Sequence, residues 1–153
     1  MSLFANLWAK HPGGSFVCDE MVFSNQCAMR MGYALEESGI SLVSENLERC
    51  SDYSMRFNDH IPGHIRSAQE LANVFYWKPS LLGAAVRRKI LMGSIDRNLE
   101  AFRRRQGMVF IMNGWGTTDH IDLWDGRTLG LRGAPDLASH YRLRGQQVWF
   151  WEL

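Results

Sequence analysis

The sequence predicts an α+β fold in which early helices pack on a later antiparallel sheet, and three observations carry that reading. Helix-period apolar patterns occupy the first half of the chain, a continuous apolar run follows Gly107, and alternating or aromatic segments close it. No linker, repeat or low-complexity stretch divides the 153 residues, so a single domain over residues 1–153 is expected.

Ser2 to Lys10 reads as a short helix, stopped by the turn-rich His11-Pro12-Gly13-Gly14. The next helix is expected from Gln26 to Ser38, where Ala28, Met31 and Leu35 share a face and Gly39 stands at the end. From Ile40 to Asp59 the pattern is weak, and Ile61-Pro62-Gly63 marks a turn. Ile65, Ala68, Leu71, Ala72 and Phe75 recur at helical spacing, which places a helix over His64–Phe75. Between Pro79 and Gln106 the chain is basic and amphipathic, with Leu81, Leu82, Val86, Ile90, Leu91, Ile95, Leu99 and Phe102 as candidate buried positions. Gly83, Gly93 and Ser94 argue against one long helix there. Arg87, Arg88, Arg103, Arg104 and Arg105 suit a solvated face better than a phosphate site.

After Gly107 the character changes. Met108-Val109-Phe110-Ile111-Met112 is bounded by Gly107 and Asn113-Gly114, as expected of a strand buried on both faces. His120-Ile121-Asp122-Leu123-Trp124 alternates polar and apolar, and Asp125-Gly126 is a hairpin signal with Arg127 to Leu131 as the partner strand. Gln147-Val148-Trp149-Phe150-Trp151 is a β-prone closing strand, with Trp149 and Trp151 burying their rings on one face.

Seventeen Lys and Arg against sixteen Asp and Glu, with a pI near 7.8, create no basic field that would gather nucleic acid. No apolar run approaches membrane length, so no membrane insertion is expected, and the start from Met1 to Gly14 lacks the pattern of a Sec signal peptide. Synthesis in the cytoplasm is expected, with any later export through a machine that needs no removable leader. Cys18, Cys27 and Cys50 are too few and too irregular for a disulfide scaffold or a paired Cys-x-x-Cys zinc site. Pairing of Cys18 with Cys50 would leave Cys27 as the free thiol, and the spacing leaves that pairing open. His60, His64 and His140 show no ligand spacing, so neither a metal nor another cofactor is expected.

Cys27 stands at a helix start, where unpaired N–H groups and the helix dipole favour a thiolate. A nucleophile also needs a base, and His120 opens an alternating strand downstream, able to face a groove between sheet and helix. The bland alternatives are a buried helix cysteine and a half-exposed strand histidine. Asn25 and Gln26 are candidates to cap the helix or to place a donor near an oxyanion.

The run Phe23-Ser24-Asn25-Gln26-Cys27-Ala28-Met29-Arg30-Met31-Gly32-Tyr33-Ala34-Leu35, ending in Ser38-Gly39, resembles the nucleophile helix of the type VI secretion amidase effectors, group four. Gly107 with its apolar strand, Gly114-Trp115, and His120-Ile121-Asp122-Leu123-Trp124-Asp125-Gly126 are similar to that family too, which carries a His-x-x-Leu-Trp-x-Gly run. The resemblance implies a papain-like fold related to NlpC-type peptidases and hydrolysis of the D-glutamyl–diaminopimelate amide bond of peptidoglycan stem peptides. It also implies export by type VI secretion components to the periplasm of a target bacterium, and a cognate immunity protein. Cys27 would be nucleophile and His120 base.

The family orients its histidine with an aspartate on the strand after the hairpin. Here the residue eleven after His120 is Leu131, and the next acid is Asp136, beyond Gly133-Ala134-Pro135. Asp136 is the preferred orienter. Asp122, which shares a strand face with His120, is the second choice, and Asp125 is expected to serve the turn. Two other readings stand beside the effector: a binding or adaptor domain that has lost the chemistry, and a housekeeping wall hydrolase.

Overall fold

A computed structural model describes residues 1–52 and 62–153. Helix α1 spans Leu3–Lys10, with the Ser2 hydroxyl accepting from Ala5 N at 3.1 Å as its N-cap. It stops at His11, held extended ahead of Pro12. Helix α2 spans Cys27–Glu37. Its end is a Schellman turn: Ile40 N–H donates to Leu35 O and Gly39 N–H to Glu36 O, with Gly39 at φ 90°, a conformation that costs glycine little. Helix α3 spans Ala68–Trp77, and Pro79 follows its end.

The expected start of α3 at His64 is four residues early. Arg49 and Ile65 form an antiparallel bridge that holds the preceding residues extended, and Ser67 caps the helix by accepting from Glu70 N. Within the weakly patterned stretch, the described part holds two short 3-10 turns, Val43–Glu45 and Cys50–Asp52. His60 and Ile61 lie outside the described residues, so the turn expected at Ile61-Pro62-Gly63 is only partly covered.

Five strands form one antiparallel sheet: β1 (Arg88–Met92), β2 (Gln106–Trp115), β3 (Thr118–Asp125), β4 (Gly130–Leu131) and β5 (Gln147–Glu152), in the order β1-β5-β2-β3-β4. A short helix α4, Ala138–Tyr141, precedes β5. Strand β1 lies inside the stretch whose basic, amphipathic pattern hid it. As an edge strand it alternates exposure along its length, and Ile90 remains 41% exposed. Arg87, Arg88, Arg103, Arg104 and Arg105 are all exposed, as a solvated face requires.

Strand β2 is buried on both faces, as its apolar run predicts. Met108 and Phe110 join α1, α2 and α3 in one core, whereas Val109 and Ile111 join Ile95, Phe102, Trp124 and Phe150 in a second core on the opposite face. Trp149 and Trp151 share the helix-side core, and the Trp151 indole donates to Phe75 O at 3.0 Å.

The β3–β4 connection departs from a two-residue hairpin. Asp125 pairs with Gly130, so four residues intervene, because Gly126 is held by the preceding turn through Arg104 N–H to Gly126 O and Gly126 N–H to Arg105 O. The two-residue turn lies instead between β2 and β3, where Trp115 pairs with Thr118.

Candidate active site

Three elements meet at one cleft of about 270 Å³: the start of α2, the first half of β3, and the segment after β4. Cys27 is the first residue of α2 and is 5% exposed. Its N–H donates to Asn25 Oδ1 at 3.2 Å, so Asn25 acts as the local cap. Gln26 is buried for another purpose. Its Oε1 accepts from Val17 N and Cys18 N, and its Nε2 donates to Cys18 O and Phe23 O. The amide ties down the loop ahead of the helix and is spent on that loop, away from the cleft.

On β3 the alternation of side chains decides which groups can meet. Ile121 and Leu123 project into the helix-side core, and His120 and Asp122 share the other face. Strand β4 pairs with β3 only at Trp124 and Asp125, which leaves the stretch around His120 at the sheet edge beside the cleft. A register shift between Ile111 and Trp115 sits across from it, and Asn113 N–H there donates to Asp119 Oδ1 at 2.8 Å.

His120 Nε2 and Asp122 Oδ2 are 2.8 Å apart, which leaves Nδ1 for the cysteine. The Cys27 sulfur donates to the Asp119 carbonyl at 3.9 Å and adjoins the imidazole, whose titration it perturbs. Burial opposes the imidazolium, yet the Asp122 hydrogen bond, the Cys27 side chain beside the ring and the Asp122 charge outweigh it and push His120 up to about 10.

Asp122 is fully buried. Burial favours its neutral form, but the His120 contact, the His11 ring and the Gly133 N–H hold it below the usual carboxylate range. Its Oδ1 accepts from Leu123 N at 2.7 Å and from Gly133 N at 2.8 Å. Position 133 needs glycine for room, since a Cβ there would stand 3.0 Å from Asp122 Oδ2 and 3.2 Å from His11 Cε1.

The acid within hydrogen-bond distance of His120 is Asp122, the second choice, and the structure does not bring the preferred Asp136 to the ring. Asp136 is exposed, beyond Pro135, and makes no hydrogen bond or ion pair among the described residues. Leu131, at the position where the family pattern expects an acid, is buried in the second core. Asp125 serves the turn as expected, its Oδ1 accepting from Arg127 N at 3.0 Å. His140 is exposed and faces Arg144.

Three site residues carried no chemical role in the sequence reading. His11 is 2% exposed; its Nδ1 accepts from Gly13 N at 3.0 Å, and its Nε2 points at Asp122 Oδ1 from 3.8 Å. Burial is the main cause that lowers its pKa to about 4. Trp115 and Tyr141 box the His120 imidazole, with Tyr141 edge-on to it at 4.8 Å between ring centres. None of the three has a local pattern, because α1, the β2–β3 turn and α4 converge only in space. Trp115 alone had a signal, its place in the Gly114-Trp115 pair.

The family described as type VI secretion system (T6SS), amidase effector protein 4 (Tae4), matches residues 23–151. Similar solved structures share the fold. The type VI effector Tae4 from Enterobacter cloacae is 19% identical, with 100% of this chain and 97% of that chain covered and a TM-score of 0.60. The Tae4 of a Tae4/Tai4 effector–immunity system from Salmonella typhimurium is 15% identical over 99% of this chain and 95% of that one, also at 0.60. In the Tae4–Tai4 complex from Enterobacter cloacae the figures are 19%, 99%, 95% and 0.55. Comparison with curated protein sequences returns no match.

Proposed function

Because the chain belongs to the type VI secretion system amidase effector family Tae4, we propose that it is an antibacterial peptidoglycan amidase in which Cys27 is the nucleophile, His120 the base and Asp122 the orienting acid. The observation that carries this reading is the 2.8 Å His120–Asp122 pair beside a cysteine at a helix start, all on one cleft. The bond cut is the D-glutamyl–diaminopimelate amide of the stem peptide, and residues 1–153 act as one catalytic unit.

The steps follow from the groups present. The raised pKa of His120 places the proton shared with the cysteine on the ring, so the sulfur, turned from the Asp119 carbonyl toward Nδ1, attacks as the thiolate of a thiolate–imidazolium pair whose imidazolium is held by Asp122. The thiolate adds to the amide carbonyl, and the oxyanion takes the Cys27 N–H in exchange for Asn25 Oδ1. Collapse expels the amine, which leaves with the proton from His120. The neutral ring then removes a proton from water, water opens the thioester, and the thiol is restored. Arg30, which lines the cleft and is fixed through Ser15 O and Gly14 O, supplies a cation for the carboxylates of a stem peptide.

Among the described residues no helix is long and apolar enough to cross a membrane. The substrate lies outside the inner membrane, so delivery to the periplasm of the target cell is part of the proposal, and a Tai4-like immunity protein is the expected partner in the producing cell. The test is digestion of purified muropeptides with products read by mass spectrometry. Wild type is expected to release peptides cut after D-glutamate, and Cys27→Ala, folded by circular dichroism, to release none. Turnover by that variant would remove the nucleophile assignment, and cleavage at another bond would keep the cysteine chemistry but change the substrate site. Expression with an added Sec signal is expected to lyse cells, and expression without the added signal to be tolerated.

A further inference from the structure

Away from the cleft, a second group of reactive side chains converges without a role in hydrolysis. The ligand atoms of Cys18, Cys50 and His64 all lie within 4.8 Å of one another. The antiparallel bridge between Arg49 and Ile65 puts Cys50 opposite His64, and Cys50 N–H donates to His64 O at 2.8 Å. Two further bonds brace the same pairing: Arg49 Nη1 to Gly63 O at 2.7 Å and Ser51 Oγ to Pro62 O at 2.6 Å. Two of the three groups are thus held in place by backbone geometry before any ligand arrives.

The sulfur–nitrogen separation is close to that of a coordination sphere. Zinc–sulfur and zinc–nitrogen bonds of about 2.3 and 2.0–2.1 Å in a tetrahedron set a sulfur–nitrogen edge of roughly 3.5 Å. Cys50 Sγ and His64 Nδ1 stand 3.8 Å apart. The His64 backbone N–H also donates to Cys50 Sγ at 3.2 Å, the kind of outer-shell bond that offsets charge on a ligating thiolate. Cys50 is fully buried and Cys18 partly so. Two thiolates and a neutral imidazole around a dication sum to zero charge, which suits a buried position.

We propose that Cys18, Cys50 and His64 form a binding site for a zinc-class divalent cation that clasps the loop ahead of α2 to the segment leading into α3. Thiolate and imidazole donors select zinc over magnesium or calcium, and three protein ligands leave the fourth vertex to water. Binding releases the two thiol protons and forms two metal–sulfur bonds and one metal–nitrogen bond. The structural consequence reaches the nucleophile through Gln26, the residue before Cys27, whose side chain is bonded to both backbone groups of Cys18. Spacing along the sequence gives no sign of this set, because its members come from three separate segments.

The test uses the full chain, stripped with a chelator under a phosphine reductant and titrated with Co²⁺ as the probe. One equivalent is expected to produce a thiolate-to-cobalt charge-transfer band, displaced by Zn²⁺, and to raise the melting temperature. His64→Gln, Cys18→Ser and Cys50→Ser should each weaken uptake by about 100-fold or more, since even outer-shell changes cost 10–100-fold. His64 and Cys18 are only partly buried, so their variants cover the case in which the Cys50 variant fails to fold. Cys27→Ala should bind as wild type. The proposal is overturned by a reduced, folded wild type with no band, by a band that survives His64→Gln and Cys18→Ser unchanged, or by its loss in Cys27→Ala. A chain that ignores Co²⁺ and closes a Cys18–Cys50 disulfide in air also overturns it, in favour of a redox staple.

Discussion

Two buried histidines flank one carboxylate, and they end in opposite states. His120 stands 2.8 Å from Asp122 Oδ2 and is pushed up to about 10, whereas His11 stands 3.8 Å from Oδ1 and is lowered to about 4. Both are nearly inaccessible, so burial opposes the charged ring in each. A direct hydrogen bond to the acid, with Cys27 on the other side, reverses that cost for His120. His11 spends Nδ1 as an acceptor for Gly13 N–H, keeps its proton on Nε2, and lies beyond bonding distance of the acid. A difference of one ångström and one backbone N–H thus separates a ring that holds its extra proton from one that stays neutral. Proximity to an acid does not by itself decide the charge of a histidine.

The largest effect that could break the comparison is on turnover. His120→Ala is expected to lower muropeptide hydrolysis by about 10⁴–10⁶-fold, as for the base of other nucleophile–base units. His11→Ala should cost at least about 100-fold less than that. Equal losses in steady-state assays would end the distinction between them. Next comes the shared acid. Asp122→Asn should cost about 10⁴-fold by reversing the preferred tautomer of the base, and Asp136→Asn, at an exposed position, should leave turnover near wild type. A large loss for Asp136→Asn alone would return the role to the segment after the hairpin.

A smaller effect is expected from Gly133→Ala. The added methyl meets Asp122 and the His11 ring at 3.0–3.2 Å, and displacing the acid should lower turnover about 10–100-fold while the chain stays folded. Wild-type rates with the glycine replaced would show that the acid tolerates movement.

The smallest effect, on stability, sharpens the contrast by sign. His11 binds a proton less readily folded than unfolded, so its contribution is intact above pH 6.5 and is lost as pH falls to about 4, on the order of 3 kcal/mol in all. His120 does the reverse: its contribution is present below 6.5 and is lost as pH rises toward about 10. Asp122, with its pKa lowered, adds to the acid loss only below its ordinary value of 3.8. Urea unfolding across pH should show His11→Gln flattening the acid limb and His120→Gln the alkaline limb. An unchanged acid limb in His11→Gln would mean that another group titrates there.

The elements that form from local information were legible. The short first helix, the α2 face that ends at Gly39, and the doubly buried run of β2 each rest on contacts within a few residues or on burial of a continuous apolar stretch. Cys27 at a helix start and the shared strand face of His120 and Asp122 were legible for the same reason, since period and cap position are local properties. Strand β1 was not, because an edge strand with one solvated face and arginines along it carries an amphipathic pattern that fits helix or strand. That Asp122 and not Asp136 adjoins His120 was not legible, because the family order directs attention past the hairpin. There Leu131 turns into the second core and Asp136 out to solvent.

By itself, then, the sequence determined the α+β order, the family resemblance, and a cysteine and a histidine in the right local settings, all of them encoded in neighbouring residues. Only the tertiary structure decided which acid holds the histidine, that His11 crosses from the N-terminal helix to the same carboxylate, and that Cys18, Cys50 and His64 meet. The reason is physical. Charge state and coordination depend on distances of a few ångströms between segments far apart in the chain, and those distances are set by how the helices, strand edges and loops pack.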